Sequence, residues 1–249
     1  FRKIRQKMLT ENKFSKYLIY AVGEIILVVI GILIALQINN WNEERKENAI
    51  IETYLNSMLV DLNNDVNQFD GIIKNLDKQI KNNSLIFVSK EYQKKSLDSI
   101  VLIITSYFTD YKIVDQTFQK IKNSGLSNQL GSKELNDAIN DYYTVDLYRF
   151  NLFIDYDEER SSEEDKFWFL TEEYEINPPH GRGEKLTLPF AENEETRKQA
   201  FIKKIESNLG RNNLRNNITR KSLGITITKG LKSKAKILTD LISEELNEK

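Results

Sequence analysis

The sequence predicts an all-α protein in which a single transmembrane helix continues into a bundle-like helical domain outside the membrane. One apolar run, YLIYAVGEIILVVIGILIALQI, occupies residues 17–38 and contains a single charged residue, Glu24. Beyond this run, apolar residues recur at helical spacing as far as residue 80, and no proline occurs before Pro178. Hydrophobic residues make up 40% of the chain, which excludes a fully disordered protein because they are enough to form a packed core.

The apolar run is long enough to cross a bilayer. At about 1.5 Å per residue, a helix over 17–38 is roughly 33 Å long, which matches the hydrocarbon layer of a membrane. A cleaved signal peptide is the alternative, but the run is too long and NNWN follows it at 39–42 in place of small residues. The sequence therefore predicts a retained anchor, with Tyr17, Tyr20 and Trp41 at the level of the lipid headgroups.

The charges that flank the run predict its orientation. The basic residues before it are Arg2, Lys3, Arg5, Lys7, Lys13 and Lys16. An equal length of chain after it contains only Arg45 and Lys46. Because short basic flanks stay on the cytoplasmic side, we expect the N-terminus inside the cell and the rest of the chain outside. Apolar residues spaced three and four apart in 1–8 suit a short helix on the inner leaflet, and an irregular basic flank remains the alternative.

Glu24 is the polar residue of the predicted span and lies about 10 Å inside it. It shares one helix face with Val28, Gly31, Ala35 and Ile38. Small residues four positions apart let helices approach closely, so this face predicts association of several copies or with a partner helix. Three interpretations of Glu24 stay open: a hydrogen bond between helices, extension towards the cytoplasmic headgroups, or a proton-carrying group. The span has no second ionisable group, which disfavours an autonomous proton relay.

Apolar residues after the span recur on average about every 3.6 positions, the period of an α-helix. This stripe consists of Ile51, Leu55, Met58, Leu62, Val66, Phe69, Ile73, Leu76 and Ile80. We expect one helix to run from the membrane through the stripe to about residue 82, with the stripe serving packing or contact between copies. One extra four-residue step interrupts the heptad, so the pattern supports a coiled coil only in part.

The remainder of the chain predicts further helices of the same domain. They are 96–110, 114–124, 132–170, 192–209 and 229–247, with short extended pieces at 84–88 and 223–228. Gly125 is placed to cap the second of these helices, and all three prolines fall in one loop at 178–191. The predicted organisation is a basic cytoplasmic or interfacial segment (1–16), the transmembrane helix (17–38), a membrane-proximal long helix (39–82), a helical extracytoplasmic domain (83–177), the proline and glycine loop (178–191) and C-terminal helices (192–249).

Two regions of the outer part have a biased composition. Aromatic residues are dense between 142 and 169, where core packing is favoured over a partner-binding surface. Acidic residues are dense between 155 and 165, but they lack the spacing and the turn glycine of a calcium loop. We interpret the acidic run as a solvated helix face, and pairing with the basic C-terminal region, within or between subunits, is a further possibility.

The sequence offers no residues from which to build an enzyme site. The chain has no cysteine and one histidine, His180, in the predicted loop. This excludes a thiolate zinc site and a cysteine nucleophile, and it gives little support to zinc catalysis or a histidine-dependent triad. A net charge of −1 excludes a strongly basic nucleic-acid binder. We therefore expect no catalytic residue, no metal, no cofactor and no nucleic-acid partner.

The stretch GEIILVVIGILIALQINNWNE (23–43), with its basic prologue, resembles the N-terminal signature of an uncharacterised family of bacterial single-span membrane proteins. FQKIKNSGLSNQL (118–130) and the pair Tyr142 and Tyr143 are also similar to that family's pattern. The family carries a domain-of-unknown-function label. The resemblance implies location in the bacterial inner membrane and implies no activity. Combined with the orientation that the flanking charges predict, this location puts the C-terminal domain in the periplasm.

Together these features predict a membrane-anchored, non-enzymatic, homo-oligomeric scaffold or partner-binding protein. Its expected partners are the lipid bilayer, further copies of itself and other membrane or periplasmic proteins. The alternative is a transport or energy-coupling subunit that uses Glu24 as a group responsive to protons or ions.

Overall fold

The computed structural model describes residues 14–108, 111–177, 179 and 188–247, with side chains from residue 18 onwards. The predicted interfacial helix in residues 1–8 and most of the 178–191 loop, including His180, lie outside the described residues. Within the described ranges every regular element is a helix, which confirms the all-α prediction.

The chain forms two compact units, Phe1–Thr53 and Tyr54–Lys249. The α-helices are α1 (Phe14–Val88), α2 (Leu97–Ile104), α3 (Gln116–Ser124), α4 (Lys133–Asn140), α5 (Leu147–Phe169), α6 (Glu194–Glu206) and α7 (Asn208–Asn247). A 3-10 turn (Glu91–Lys94) follows α1, and a π-helix (Asp141–Asp146) joins α4 to α5. The predicted continuation of the helix past the apolar run is confirmed by the bounds of α1.

Polar caps and a glycine set several of these boundaries. The hydroxyl of Ser132 accepts a hydrogen bond from the backbone N–H of Leu135 (3.2 Å), and the side chain of Asn193 does the same for Thr196 (2.9 Å). Each side chain satisfies a backbone donor that the first turn of a helix leaves free. Gly125 ends α3 with φ 79°, a left-handed conformation that favours glycine. The predicted start at Ser132 and the predicted cap at Gly125 are therefore confirmed.

The two predicted extended pieces are wrong. Residues 84–88 form the last turn of α1, and 223–228 lie inside α7, which begins at Asn208 and not near residue 229. The sequence LGITIT is rich in β-branched residues, but its environment is that of a packed helix. A Cβ atom added at Gly224 would lie 2.5 Å from the ring of Phe153, and the buried hydroxyl of Thr228 donates to the carbonyl of Gly224 (2.7 Å). Tertiary packing overrides the local β preference here.

One core cluster joins α1, α2, α5, α6 and α7 in the second unit. It includes Ile86 of α1, Ile100 of α2, Trp168 of α5, Phe201 of α6 and Leu214 of α7, all of them buried. The rings of Trp168 and Phe201 meet edge to face with their centroids 6.0 Å apart. Such pairs add to the stabilisation from the apolar area that they bury.

Most of the predicted stripe on α1 belongs to the protein core. Ile51, Leu55, Met58, Leu62, Phe69 and Leu76 are buried, and Val66, Ile73 and Ile80 are partly buried. In the second unit the chain itself covers these side chains: Phe69 meets Phe150 edge to face with their centroids 6.0 Å apart. The buried members of the stripe therefore serve packing within the chain, which is one of the two roles predicted for them, and contact between copies stays a prediction.

Candidate functional site

The first unit presents its apolar side chains to the surroundings. Within the described residues, α1 is the one helix that is long and apolar enough to cross a membrane. None of the 18 residues in its most apolar stretch is buried. Val28 is 58% exposed and Ile38 is 61% exposed. A contiguous apolar surface of this kind is unfavourable in water and favourable in lipid.

The predicted association face lies on this exposed segment. Glu24, Gly31 and Ala35 are all exposed, and a Cβ atom added at Gly31 would meet nothing within 4 Å. Tyr20 and Trp41, the predicted interface anchors, are 61% and 63% exposed, and the side chain of Tyr17 lies outside the described part. The face therefore leaves room for another helix, and its role in association stays a prediction.

In the second unit, polar side chains of α1 hold an irregular segment that we call the strap (residues 105–108 and 111–115). At one end, the side-chain amide of Asn83 donates to the carbonyl of Ile103 (2.7 Å), just before the strap begins. The side-chain carbonyl of Gln79 accepts a hydrogen bond from the backbone N–H of Tyr107 (2.9 Å). The strap is not part of a regular element, so α1 supplies partners that its backbone would otherwise lack.

At the other end, two carboxylates of α1 bind the strap and the start of α3. Asp65 accepts hydrogen bonds from the hydroxyl of Tyr111 and from the backbone N–H of Val114 (3.2 Å). Asp61 accepts one from the hydroxyl of Thr117 (2.5 Å). The partners advance along the chain while the positions on α1 decrease, so the strap runs antiparallel to α1.

The pKa of the Asp65 carboxyl is raised at this contact. The side chain is fully buried, and burial raises its pKa to about 6 although the hydrogen bonds from Tyr111 and Val114 oppose the rise. Among the described residues its Oδ2 atom has no hydrogen-bond partner, and neither have the buried hydroxyls of Tyr142 and Tyr143. Burial raises the pKa of both tyrosines, and the charge of Asp65 raises it further. The arrangement places a carboxyl that exchanges a proton near pH 6 beside two neutral phenols.

Two consecutive tyrosines of the π-helix are both buried. Tyr142 and Tyr143 lie in it, with ring centroids 4.9 Å apart at 84°, and Phe118 of α3 stacks on Tyr143 at 4.7 Å. Such wide turns in α-helices occur frequently at functional sites. The structure thus brings together the tyrosine pair and the start of the 118–130 motif.

A second buried polar group joins α5 to α7. Arg220 donates to Asp157 (Nε to Oδ1, 2.8 Å) and in a bidentate manner to Glu164 (2.6 and 2.8 Å). Lys221 donates to both oxygens of Asp157 (2.7 and 2.9 Å) and to the strap carbonyl of Tyr107 (2.7 Å). Asp157 and Lys221 are fully buried, and burial lowers the pKa of Lys221 while the charge of Asp157 opposes the decrease.

These four side chains, which we call the ion cluster, combine two positive and two negative charges. Asp157 and Glu164 belong to the acidic run, and Arg220 and Lys221 belong to the basic C-terminal region. The possibility that these regions pair is confirmed within one chain. The interpretation of the whole run as a solvated face holds only for its exposed members, such as Glu158 and Glu163. Charge neutrality and complete hydrogen bonding are what make a buried cluster of this kind stable.

Sequence reasoning missed the polar residues in the core. Asp65, Gln79 and Asn83 lie on the buried face of α1 at helical spacing from Leu62, Leu76 and one another. The sequence did contain a signal for these residues, because each lies three or four positions from an apolar residue of the stripe and therefore on the same helix face. The partners on the strap could not be found in this way, because they depend on the path of an irregular segment.

Comparison with known proteins places the chain in a family. No curated protein and no solved structure matches it. A family model described as a family of unknown function (DUF6090) matches residues 24–177, which is more than half of the chain. The match extends from Glu24 through the strap, the π-helix and α5, and it confirms the expected membership of an uncharacterised family. This protein therefore belongs to DUF6090, a family of unknown function.

Proposed function

We propose that this protein is a membrane-anchored, non-enzymatic scaffold or partner-binding protein that forms homo-oligomers. The observation that carries the proposal is the exposure of the apolar side chains of α1 between Leu18 and Ile38, which no described part of the chain covers. A lipid bilayer satisfies this surface better than water does, because it has the matching thickness and polarity.

The second unit is then the part that acts outside the membrane. The basic residues before the apolar run and their scarcity after it support a cytoplasmic N-terminus and a helical unit in the periplasm of a bacterium. This unit is suited to act as a rigid scaffold. The ion cluster and the side chains that hold the strap support this role, because their bonds connect separate elements of the same chain.

Self-association is supported by the face of Glu24, Gly31 and Ala35. Gly31 has no side chain and Ala35 has only a methyl group, so two helices can approach closely at this face. The carboxyl of Glu24 can then form a hydrogen bond between them. Since the stripe of the second unit is buried, the exposed face of the first unit is the better candidate for this contact.

Substitutions at Glu24 and Gly31 test this proposal in the full-length protein, with oligomer size measured in mild detergent and by cross-linking in membranes. Glu24→Gln keeps a hydrogen-bonding side chain, so we expect the oligomer to persist. Glu24→Leu removes the hydrogen bond and Gly31→Leu blocks close approach, so we expect both to shift the protein towards monomers. Ile26→Ala, on another face of the same helix, is the control and should retain the oligomer.

A wild-type protein that is monomeric in detergent and in membranes would contradict the scaffold proposal. The energy-coupling alternative predicts a different pattern, because it depends on the ionisable carboxyl. In that case Glu24→Gln would keep the oligomer but reproduce the phenotype of a strain that lacks the protein.

A further inference from the structure

The second unit contains a cavity of about 450 Å³ that is lined by residues of α5, α6 and α7. Phe167, Ala200 and Leu209 give it apolar walls, and Glu173 and Lys204 contribute charged groups. Leu209 is 65% exposed, so the cavity can be reached from solution. Its volume lies in the range of cavities that bind small molecules.

The ammonium group of Lys204 is the buried charge of this cavity. The side chain is only 8% exposed, and its Nζ atom lies 4.6 Å from the centre of the Phe167 ring. Nζ donates a hydrogen bond to the hydroxyl of Thr171 (2.9 Å). Its one carboxylate contact in the described part of the chain is Glu173, at 3.4 Å. An ammonium has three donors, and its bonds to carboxylates are usually about 2.7–2.9 Å long, so the charge of Lys204 is incompletely satisfied.

Glu173 contacts Lys204 only loosely. The side chain of Glu173 is 57% exposed. A carboxylate that remains in contact with water loses little when its ion pair is broken. A carboxylate that enters from solution can therefore take the place of Glu173 beside Lys204. We interpret Glu173 as the protein's own occupant of a carboxylate position.

The surroundings of Lys204 also favour an anion. Lys203 lines the cavity and is exposed. Ser207, another lining residue, precedes the first turn of α7, and its hydroxyl accepts a hydrogen bond from the backbone N–H of Gly210 (3.0 Å). The N-terminus of a helix carries a partial positive charge. Among the lining residues, two lysines and this helix end thus outweigh the single carboxylate of Glu173.

We propose that this cavity binds a small organic carboxylate with an apolar body. The carboxylate replaces Glu173 at the ammonium of Lys204, and the apolar body packs against Phe167, Ala200 and Leu209. An inorganic anion leaves these walls in contact with water, which is why the apolar body is part of the ligand. The inference goes beyond the proposed function and does not depend on self-association, because the lining residues belong to one chain.

Isothermal titration calorimetry with cinnamate tests the inference in the full-length protein, reconstituted in lipid nanodiscs. We expect heat of binding above that of empty nanodiscs. Cinnamyl alcohol has the same ring without the charge, and acetate has the charge without the ring. We expect each of them to bind at least about tenfold more weakly than cinnamate. No binding of cinnamate, or equal affinity for either analogue, overturns the inference.

Glu173→Gln is the sharpest variant, because it removes the competing carboxylate at an exposed position. We expect this protein to bind cinnamate about threefold more tightly than the wild type, which is the size of effect expected for an ion pair in contact with water. Glu172→Gln removes the same charge at the exposed neighbouring position, which does not line the cavity, and should bind like the wild type. If Glu173→Gln binds no more tightly than Glu172→Gln, the proposed site is wrong.

Two further variants test the ammonium and the apolar wall. Lys204→Met keeps the length of the side chain without its charge and should weaken cinnamate binding at least about tenfold. Leu209→Ala removes apolar contact at an exposed position and should weaken binding about threefold. Circular dichroism checks folding, and if Lys204→Met does not fold, Glu173→Gln and Leu209→Ala decide the test. A folded Lys204→Met protein, or a Leu209→Ala protein, with wild-type affinity for cinnamate overturns the inference.

Discussion

Replacing Lys221 with alanine is expected to lower the free energy of unfolding of the second unit (Tyr54–Lys249) by about 3–5 kcal/mol. This is the usual result of removing one partner from a buried ion pair. The substitution removes both hydrogen bonds from Lys221 to the fully buried carboxylate of Asp157, and it removes the hydrogen bond to the carbonyl of Tyr107. Denaturant unfolding followed by the fluorescence of Trp168 measures the change, because this residue is buried in the core of the same unit. The measurement is made in a Trp41→Phe background, which removes the other tryptophan so that the fluorescence comes from Trp168 alone.

A double variant separates the charge effect from the loss of packing. Lys221→Met combined with Asp157→Leu removes one positive and one negative charge and leaves the bidentate pair of Arg220 and Glu164 intact. We expect it to recover more than half of the stability lost in Lys221→Ala, since no unpaired charge stays buried. A Lys221→Ala protein with wild-type stability would show that the ion cluster does not stabilise the fold.

The free energy of unfolding of the second unit is expected to decrease as the pH rises from 4 to 7. Deprotonation of Asp65 accounts for about 2–3 kcal/mol of this decrease. Burial raises the pKa of this carboxyl from 3.8 to about 6, so between these values the folded protein binds a proton that the unfolded chain has lost. The stabilising contribution is therefore complete below pH 3.8 and is lost as the pH rises through about 6. Each unit of pKa difference corresponds to about 1.4 kcal/mol.

Asp65→Asn tests this assignment because asparagine stays neutral at every pH and keeps an oxygen for Tyr111 and Val114. Unfolding measured at several pH values between 4 and 7 should show a shallower pH dependence for this variant than for the wild type. Asp141→Asn, at an exposed position at the start of the π-helix, should keep the wild-type dependence. Equal pH dependence in Asp65→Asn and the wild type would contradict the assignment.

Local and periodic features of the sequence were enough to predict the helices that matter most. The apolar run and the stripe behind it share one period without a proline, so the continuity of α1 follows from the sequence. Ser132 and Gly125 act on their own backbone or on that of near neighbours, and such signals do not depend on the rest of the fold.

The errors arose where distant contacts decide the structure. LGITIT has a local preference for strands, but the fit of Gly224 against Phe153 makes it helical. The contact between Asp65 and the strap joins residues almost fifty positions apart, and no periodicity predicts it. Similarly, pairing of the acidic and basic regions was only a possibility from the sequence, and it is the packing of α5 on α7 that selects Asp157 and Glu164 for Arg220.

The central claim is that residues 17–38 anchor the chain in a membrane with the helical unit on the outer side. Labelling of single cysteines in intact cells with a thiol reagent that cannot cross the membrane tests it directly. We predict that Glu158→Cys is labelled from outside, that Lys13→Cys is labelled only after permeabilisation, and that both proteins stay with the membranes in alkaline carbonate. Recovery of the protein in the soluble fraction, or the reverse labelling pattern, would contradict the account.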